Sequence, residues 1–283
     1  MKINIEKLKI NIDKYNNLLE EYENTYLNFY YEAEANNQYW YNSTANYFFA
    51  LIEEEKKENN IFYEELYSLK LVFDYLIDNY QTYGKKITLD LENKDIIINK
   101  LNNYKINDIS NLLNDIDIIN IEKSKTKLKN IDKNILEYKE TFKKTCNNIE
   151  KIEEKIKLKL SKITISPIEE NSPVSHQLGS TEEVFINVDK LENSIKKLEM
   201  YQNEEAIILE SFKETFKDVN YNYITNNKDT LENLELEILS KYKIILNNHN
   251  NNIKLLNDNI DKTKSGINKT KSILEQINGD ING

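Results

Sequence analysis

Apolar residues recur alternately three and four positions apart at the start of the chain: Ile5, Leu8, Ile12, Tyr15, Leu19, Tyr22, Tyr26, Phe29 and Ala33. That spacing is the seam of a left-handed helix pair and predicts a helix from about Ile5 to Glu34. A shift of 183 residues brings up the same pattern: Val188, Leu191, Ile195, Leu198, Gln202, Glu205, Leu209, Phe212 and Phe216. The residues leading in also correspond, Ile3-Asn4-Ile5-Glu6-Lys7-Leu8 against Ile186-Asn187-Val188-Asp189-Lys190-Leu191. An amphipathic helix repeated within one chain implies two copies of one folding unit, each covering what the other leaves open.

After each repeated helix the pattern breaks and resumes. The first break is Asn36-Asn37-Gln38-Tyr39-Trp40-Tyr41-Asn42-Ser43-Thr44. Asparagine tolerates the left-handed conformation that ends helices, and Asn42, Ser43 or Thr44 can cap the next one. A second stripe follows at Ala45, Phe48, Ile52, Phe62, Leu66, Leu69, Phe73, Leu76, Tyr80 and Tyr83, with Glu55 and Asn59 in the seam as a polar layer or skip. Gly84 stands where a helix C-terminal glycine belongs. The second break is Asn220–Asn227, and the returning helix carries Leu231, Leu234, Ile238, Tyr242 and Ile245. A kink or break is expected in Asn247–Asn252, because asparagine forms helices poorly. The seam resumes at Ile253, Leu256, Ile260, Ile267, Leu274 and Ile277. Short turns between long helices force antiparallel pairs.

Between the repeats, Leu128 to Ile163 gives an uninterrupted heptad and a long helix. Residues 85–122 read as mixed structure: Ile87–Leu91 alternates like a strand, Ile96–Ile98 suits either strand or buried helix, and Ile109, Leu112, Leu113 and Ile116 suit a short helix. Residues 164–183 hold both prolines and read as a linker. The expected organisation is therefore a first hairpin at 1–84, a mixed connection at 85–122, a long helix at 123–163, a linker at 164–183 and a second hairpin at 184–283. The fold class is all-α, an elongated antiparallel bundle of two hairpins with the long helix flanking or crossing it.

Composition narrows the chemistry. Five glycines and two prolines in 283 residues leave little to interrupt helices. There is no arginine, so planar bidentate grip on phosphate is missing. A net charge of −10 argues against general binding to nucleic acid or anionic membranes. Lysines dominate Lys123–Lys162 and acids dominate Glu20–Glu58. These are two solvated faces, or an acidic hairpin packed beside a basic helix. No apolar run approaches the ~18 residues of a membrane span, and the start lacks a signal-peptide apolar region. The glycosylation triplets Asn42-Ser43-Thr44 and Asn268-Lys269-Thr270 carry little weight without such a signal.

Candidate chemistry is sparse. Cys146 is the only cysteine and falls near a helix core position. His176 lies in the linker and His249 in an asparagine run, so no metal-site spacing arises and no metal or cofactor is expected. Glu53-Glu54-Glu55 reads as a solvated face. No glycine-rich phosphate loop occurs. Enzyme activity is not expected, and a catalytic alternative would need a buried polar cluster that the sequence does not display. The informative cluster is the first turn, where Trp40, the lone tryptophan, sits among Tyr39, Tyr41, Tyr47, Phe48 and Phe49. It either plugs the end of the helix pair or offers an aromatic knob to a partner.

Trp40, Asn42, Ala45, Phe48 and Ile52, after a heptad helix, resemble the Trp-x-Gly helical hairpins of type VII secretion systems and the related LXG domains of their toxins. In that resemblance Trp40 is the family tryptophan, Asn42 replaces the glycine, and Ala45, Phe48 and Ile52 anchor the second helix. In the second copy Tyr223 stands at the tryptophan position and Leu231 at that of Phe48, with neither tryptophan nor glycine retained. The family's Tyr-x-x-x-acid export tag has no clear counterpart, since Tyr201–Glu205 lies within a helix. The resemblance implies a non-enzymatic substrate, targeting partner or chaperone. It would contact protein partners such as a secretion ATPase or a cognate effector through helix faces, and would leave the cell without a signal peptide. Trp40→Ala is then expected to lower export or partner binding. Self-association is a further expectation. The alternative is a cytoplasmic coiled-coil scaffold, which would run as a continuous rod past Trp40.

Overall fold

The structure is a computed structural model and describes residues 1–102, 121–171 and 185–282. It is an all-α bundle with six α-helices and five very short strands among the described residues. Strand β1 (Lys2–Asn4) leads into helix α1 (Ile5–Ala35). Strand β2 (Trp40–Tyr41) leads into α2 (Ser43–Tyr80), and β3 (Lys86–Thr88) precedes α3 (Lys94–Asn102) and α4 (Ile121–Leu160). Strand β4 (Phe185–Ile186) leads into α5 (Val188–Asn222), and β5 (Tyr223–Ile224) into α6 (Lys228–Asn282). The proposed short helix around Ile109–Ile116 lies outside the described residues.

The same local chemistry starts both copies. The Asn4 side chain accepts a hydrogen bond from the Lys7 amide at 3.3 Å, and Asn187 accepts one from Lys190 at 3.2 Å. Each satisfies one of the amide groups that a helix N-terminus leaves unpaired. Asn42 caps α2 in the same way, 2.7 Å from the Ala45 amide.

The chain reverses at the first turn. Lys56 reaches back to Glu34 at 2.8 Å, and the Tyr15 hydroxyl donates to the Leu66 carbonyl at 2.8 Å. Helix α6 returns along α5 in the same manner, with the Tyr242 hydroxyl donating to the Glu205 carbonyl at 3.0 Å. The two repeats then meet through α1 and α5, which run antiparallel: Lys14 lies near Glu214 and Glu32 near Lys197. Tyr15, Phe73, Phe212 and Phe216 interlock there, with ring centroids 5.1–5.8 Å apart around Tyr15. Edge-to-face contacts of this kind suit rings that must also place a hydroxyl.

Helix α4 runs back along α2, burying Cys146, Ile149, Ile156 and Leu160. Burial raises the Cys146 thiol pKa. The chain beyond it is not a free tether over Ile163–Asn171. Ser166 donates its amide to Glu65 at 2.8 Å, and Asn171 donates its amide to Asn248 at 2.8 Å. No ion pair among the described residues joins the acidic stretch 20–58 to the basic stretch 123–162. The run Glu53-Glu54-Glu55 is a solvated face only in part: Glu53 and Glu54 are exposed, but Glu55 is buried and hydrogen-bonded to Asn171 and Asn252, against the expectation for it.

Three further expectations need correction. No described non-glycine residue has positive φ, and Asn42 is extended at φ −175°, so asparagine acts at the turn as a cap and not as a left-handed substitute for glycine. Among the described residues only Gly84 takes positive φ, +91°, just beyond α2. The strand expected at Ile87–Leu91 is confined to Lys86–Thr88, and Ile96–Ile98 are helical. Finally, α6 runs through Asn247–Asn252 without interruption. Asn248, His249 and Asn252 are buried and hydrogen-bonded, and those tertiary bonds outweigh the low helix propensity.

Candidate functional site

The two turns are tied to the opposite repeat by short antiparallel strands. In one sheet Trp40 pairs with Ile186 and Tyr41 with Phe185. In the other, Ile3 pairs with Tyr223 and Lys2 with Ile224, and β3 completes the sheet on the far side of β1. Ile186 is the counterpart of Ile3 and Tyr223 that of Trp40, so the two registers are the same contact made twice. The repeats are related by a pseudo-two-fold axis crossing the α1–α5 interface near Tyr22 and its counterpart Glu205. Homodimers achieve this isologous arrangement with two chains. Here it lies within one.

Trp40, Asn42, Ala45, Phe48 and Ile52 come together at one end, all buried. Trp40 is 1% exposed, its ring 5.5 Å from Phe48 and 6.1 Å from Phe49, so it plugs the hairpin and presents no knob. Its Nε1 has no hydrogen-bond partner among the described residues. Tyr223 is not part of this cluster. It lies at the other end of the bundle, about 45 Å away along α1 at 1.5 Å per residue. Its hydroxyl donates to both Glu153 oxygens, at 2.9 and 3.1 Å, and the Asn227 amide and the Tyr80 hydroxyl donate to the same carboxylate. Burial and the Glu153 charge raise the pKa values of Tyr80 and Tyr223.

Halfway between the turns lies a buried polar layer. The Tyr22 hydroxyl donates to Asn59, Asn59 Nδ2 donates to the Tyr30 hydroxyl at 3.0 Å, and that oxygen lies 3.0 Å from His249 Nε2. His249 Nδ1 is 2.6 Å from a Glu205 oxygen, and the imidazole stacks on Phe29 at 3.9 Å. Burial raises the pKa values of Tyr22 and Tyr30. Beside this chain, Glu55 bonds Asn171 and Asn252, and burial raises its carboxyl pKa. Lys241 meets Glu65 at 2.8 Å, both buried.

This cluster is not legible in the sequence, because His249 stands in a run of asparagines that reads as a break. The repeat held a signal for it: Glu205 occupies the seam position of Tyr22, and a carboxylate in a seam must find partners. The arrangement resembles a proton relay, but Glu205 and His249 are fully buried and Tyr30 is 1% exposed. A sealed chain of directional bonds can fix the register of four helices.

Among the described residues no group of three or more His, Cys, Asp or Glu side chains is placed to hold a metal ion, and no helix is long and apolar enough to cross a membrane. Comparisons with protein-family models, with curated proteins and with solved structures gave no match.

Proposed function

We propose that the chain is a covalently joined pair of Trp-x-Gly-like hairpins serving a type VII-like secretion pathway, as an exported substrate, a targeting partner or a chaperone for an effector. It acts without catalysis, through helix faces. The observation that carries this is the doubled contact between each turn and the other repeat's leading strand, Trp40 with Ile186 and Tyr223 with Ile3. Joining the hairpins makes their association intramolecular, so the pair forms at any concentration.

Support for a helix-face partner comes from the last turns of α6. Ile267, Ile273, Leu274 and Ile277 are about half exposed there, continuing the seam past the point where α5 begins. The chain turns back at Trp40, so the continuous rod expected of a coiled-coil scaffold is not the form it takes; a cytoplasmic adaptor built as a bundle would use the same stripe.

Secretion separates them. In a host carrying such a system, the protein is expected in culture supernatant, and it is lost from there when the system's ATPase is deleted. Retention in the cytoplasm in both strains would favour the adaptor. Export with or without the ATPase would count against both readings. The informative variant is Ile267→Ser with Leu274→Ser, because those side chains are exposed. A buried Trp40 tests folding before it tests export.

A further inference from the structure

A cavity of about 650 Å³ opens where the end of α5 meets the start of α6. Its apolar wall is formed by Phe216, Ile224, Leu236 and Leu239, with Tyr221 at the rim. Tyr221, Ile224 and Leu236 are exposed, an unusual cost for side chains of that size. The floor is polar. Glu235, 3% exposed, accepts a hydrogen bond from Asn220 Nδ2 through Oε2. Its Oε1 and the Asn220 Oδ1 are buried and have no partner among the described residues, and both side chains line the cavity.

The other repeat shows what this place holds when it is only core. Glu235 is the counterpart of Ile52, Glu232 of Phe49 and Tyr223 of Trp40. In the first repeat Ile52 is fully buried and Trp40 packs on Phe48 and Phe49. In the second repeat Tyr223 turns its hydroxyl to Glu153 instead. Where the first repeat has the apolar pair Phe49 and Ile52, the second has two carboxyl groups, Glu232 and Glu235, and both line the cavity.

We infer that this cavity is a binding site for an amphipathic amine, a primary ammonium group on an apolar stem. The two buried, unpartnered oxygens call for a ligand with at least two hydrogen-bond donors, and an ammonium carries three. It also supplies the charge that a buried carboxylate lacks. The volume lies in the range of small-molecule sites and exceeds what one lysine side chain fills, which points to a free amine. The surrounding charges do not compete for the floor. Lys228 pairs with Glu232 at 3.3 Å and Lys213 with Glu210 at 3.3 Å, while Lys217 and Asp218 lie on the lip with opposite signs. The inference goes beyond the secretion reading and does not depend on it.

The test uses the full chain and three probes with one stem: phenylbutylamine, phenylbutanol and phenylbutyrate, titrated calorimetrically at mildly alkaline pH. The amine is expected to bind saturably and at least about tenfold more tightly than the alcohol, the yield of one charge-assisted hydrogen bond. Glu235→Gln keeps the shape and should erase that preference. Glu235→Ile copies the other repeat and should erase it too, with circular dichroism verifying the helices of both variants. Binding of the carboxylate in preference to the amine, equal binding of amine and alcohol, an amine affinity unmoved by Glu235→Gln, or no saturable binding of the amine would each overturn the assignment. So would equally tight binding of acetyl-lysine amide, which would assign the site to a protein side chain.

Discussion

Ile3 lies opposite Tyr223, so the first strand of one repeat is paired with the turn of the other. The same pairing joins Ile186 to Trp40. Strands of two or three residues contribute few hydrogen bonds. Their effect is to set each turn against a partner 183 positions out of phase, and to bury at that point an indole in one copy and a phenol in the other.

Trp40→Ala should destabilise the protein by about 3–5 kcal/mol, the usual cost of truncating a buried aromatic residue. Tyr223→Phe should cost less, about 1–2 kcal/mol, because Tyr80 and Asn227 still donate to Glu153. Urea denaturation of the two variants checks the order. A Trp40→Ala midpoint no lower than that of Tyr223→Phe would show that the indole is not the end plug.

Tyr30→Phe removes the hydroxyl that links Asn59 to His249, leaving His249 Nε2 and Asn59 Nδ2 without their partner. The expected loss is at least about 1–3 kcal/mol, the cost of stranding one buried polar group, although only one atom is removed. Chemical denaturation again provides the measure, and an unchanged free energy would mean that the polar layer does not bind the repeats together.

Much of this architecture can be read in the sequence. Spacing of Ile5–Ala33 and of Val188–Phe216 marks two helices, and Asn42 announces the cap of the helix after the first turn, whereas the caps Asn4 and Asn187 emerge only in the structure. Contacts that depend on tertiary partners were not readable. Strands of two residues leave no alternation to detect, so Trp40–Ile186 and Ile3–Tyr223 were invisible. The asparagines at 247–252 suggested a break because local propensity was all the sequence offered, whereas Asn171 and Glu55, distant in the chain, hold that stretch helical. Of the turn residues, Trp40, Asn42, Ala45, Phe48 and Ile52 do gather, but Tyr223 lies at the opposite end. Glu235 in the cavity gave no sign beyond standing where the other repeat has Ile52.

Glu235 gives the protein a pH dependence of known sign. Burial raises its pKa to about 8, helped by the Glu232 charge and opposed by the Asn220 hydrogen bond. A carboxyl group whose folded pKa is raised binds its proton more tightly in the native state. The penalty for ionising it is therefore absent below pH 4 and grows as pH rises from about 4.5 to 8, then levels off. Glu235→Ile should flatten that part of the stability profile and raise stability most at pH 8. Thermal midpoints across pH 4–9 decide it, and a variant with the same slope as the parent would place the dependence on other groups.

Cutting the chain at a protease site inserted between Asn171 and Phe185 should leave the two parts together. The α1–α5 interface, both strand pairs and the buried Lys241–Glu65 pair all cross the cut. Size-exclusion chromatography of the nicked protein is expected to give one peak holding both fragments. Separation under native conditions would mean that the link, and not the interface, holds the repeats.

The most direct measurement traps the two turn contacts covalently. In a Cys146→Ala background, Lys2→Cys with Ile224→Cys tests one contact, and Tyr41→Cys with Phe185→Cys tests its counterpart. Facing residues of antiparallel strands have Cα atoms about 4.5–5.5 Å apart, within disulfide reach. Both pairs are expected to close within a single chain on mild oxidation, to similar extent. Failure of both, or closure only between chains, would contradict a protein in which each repeat's turn is seated on the other's first strand.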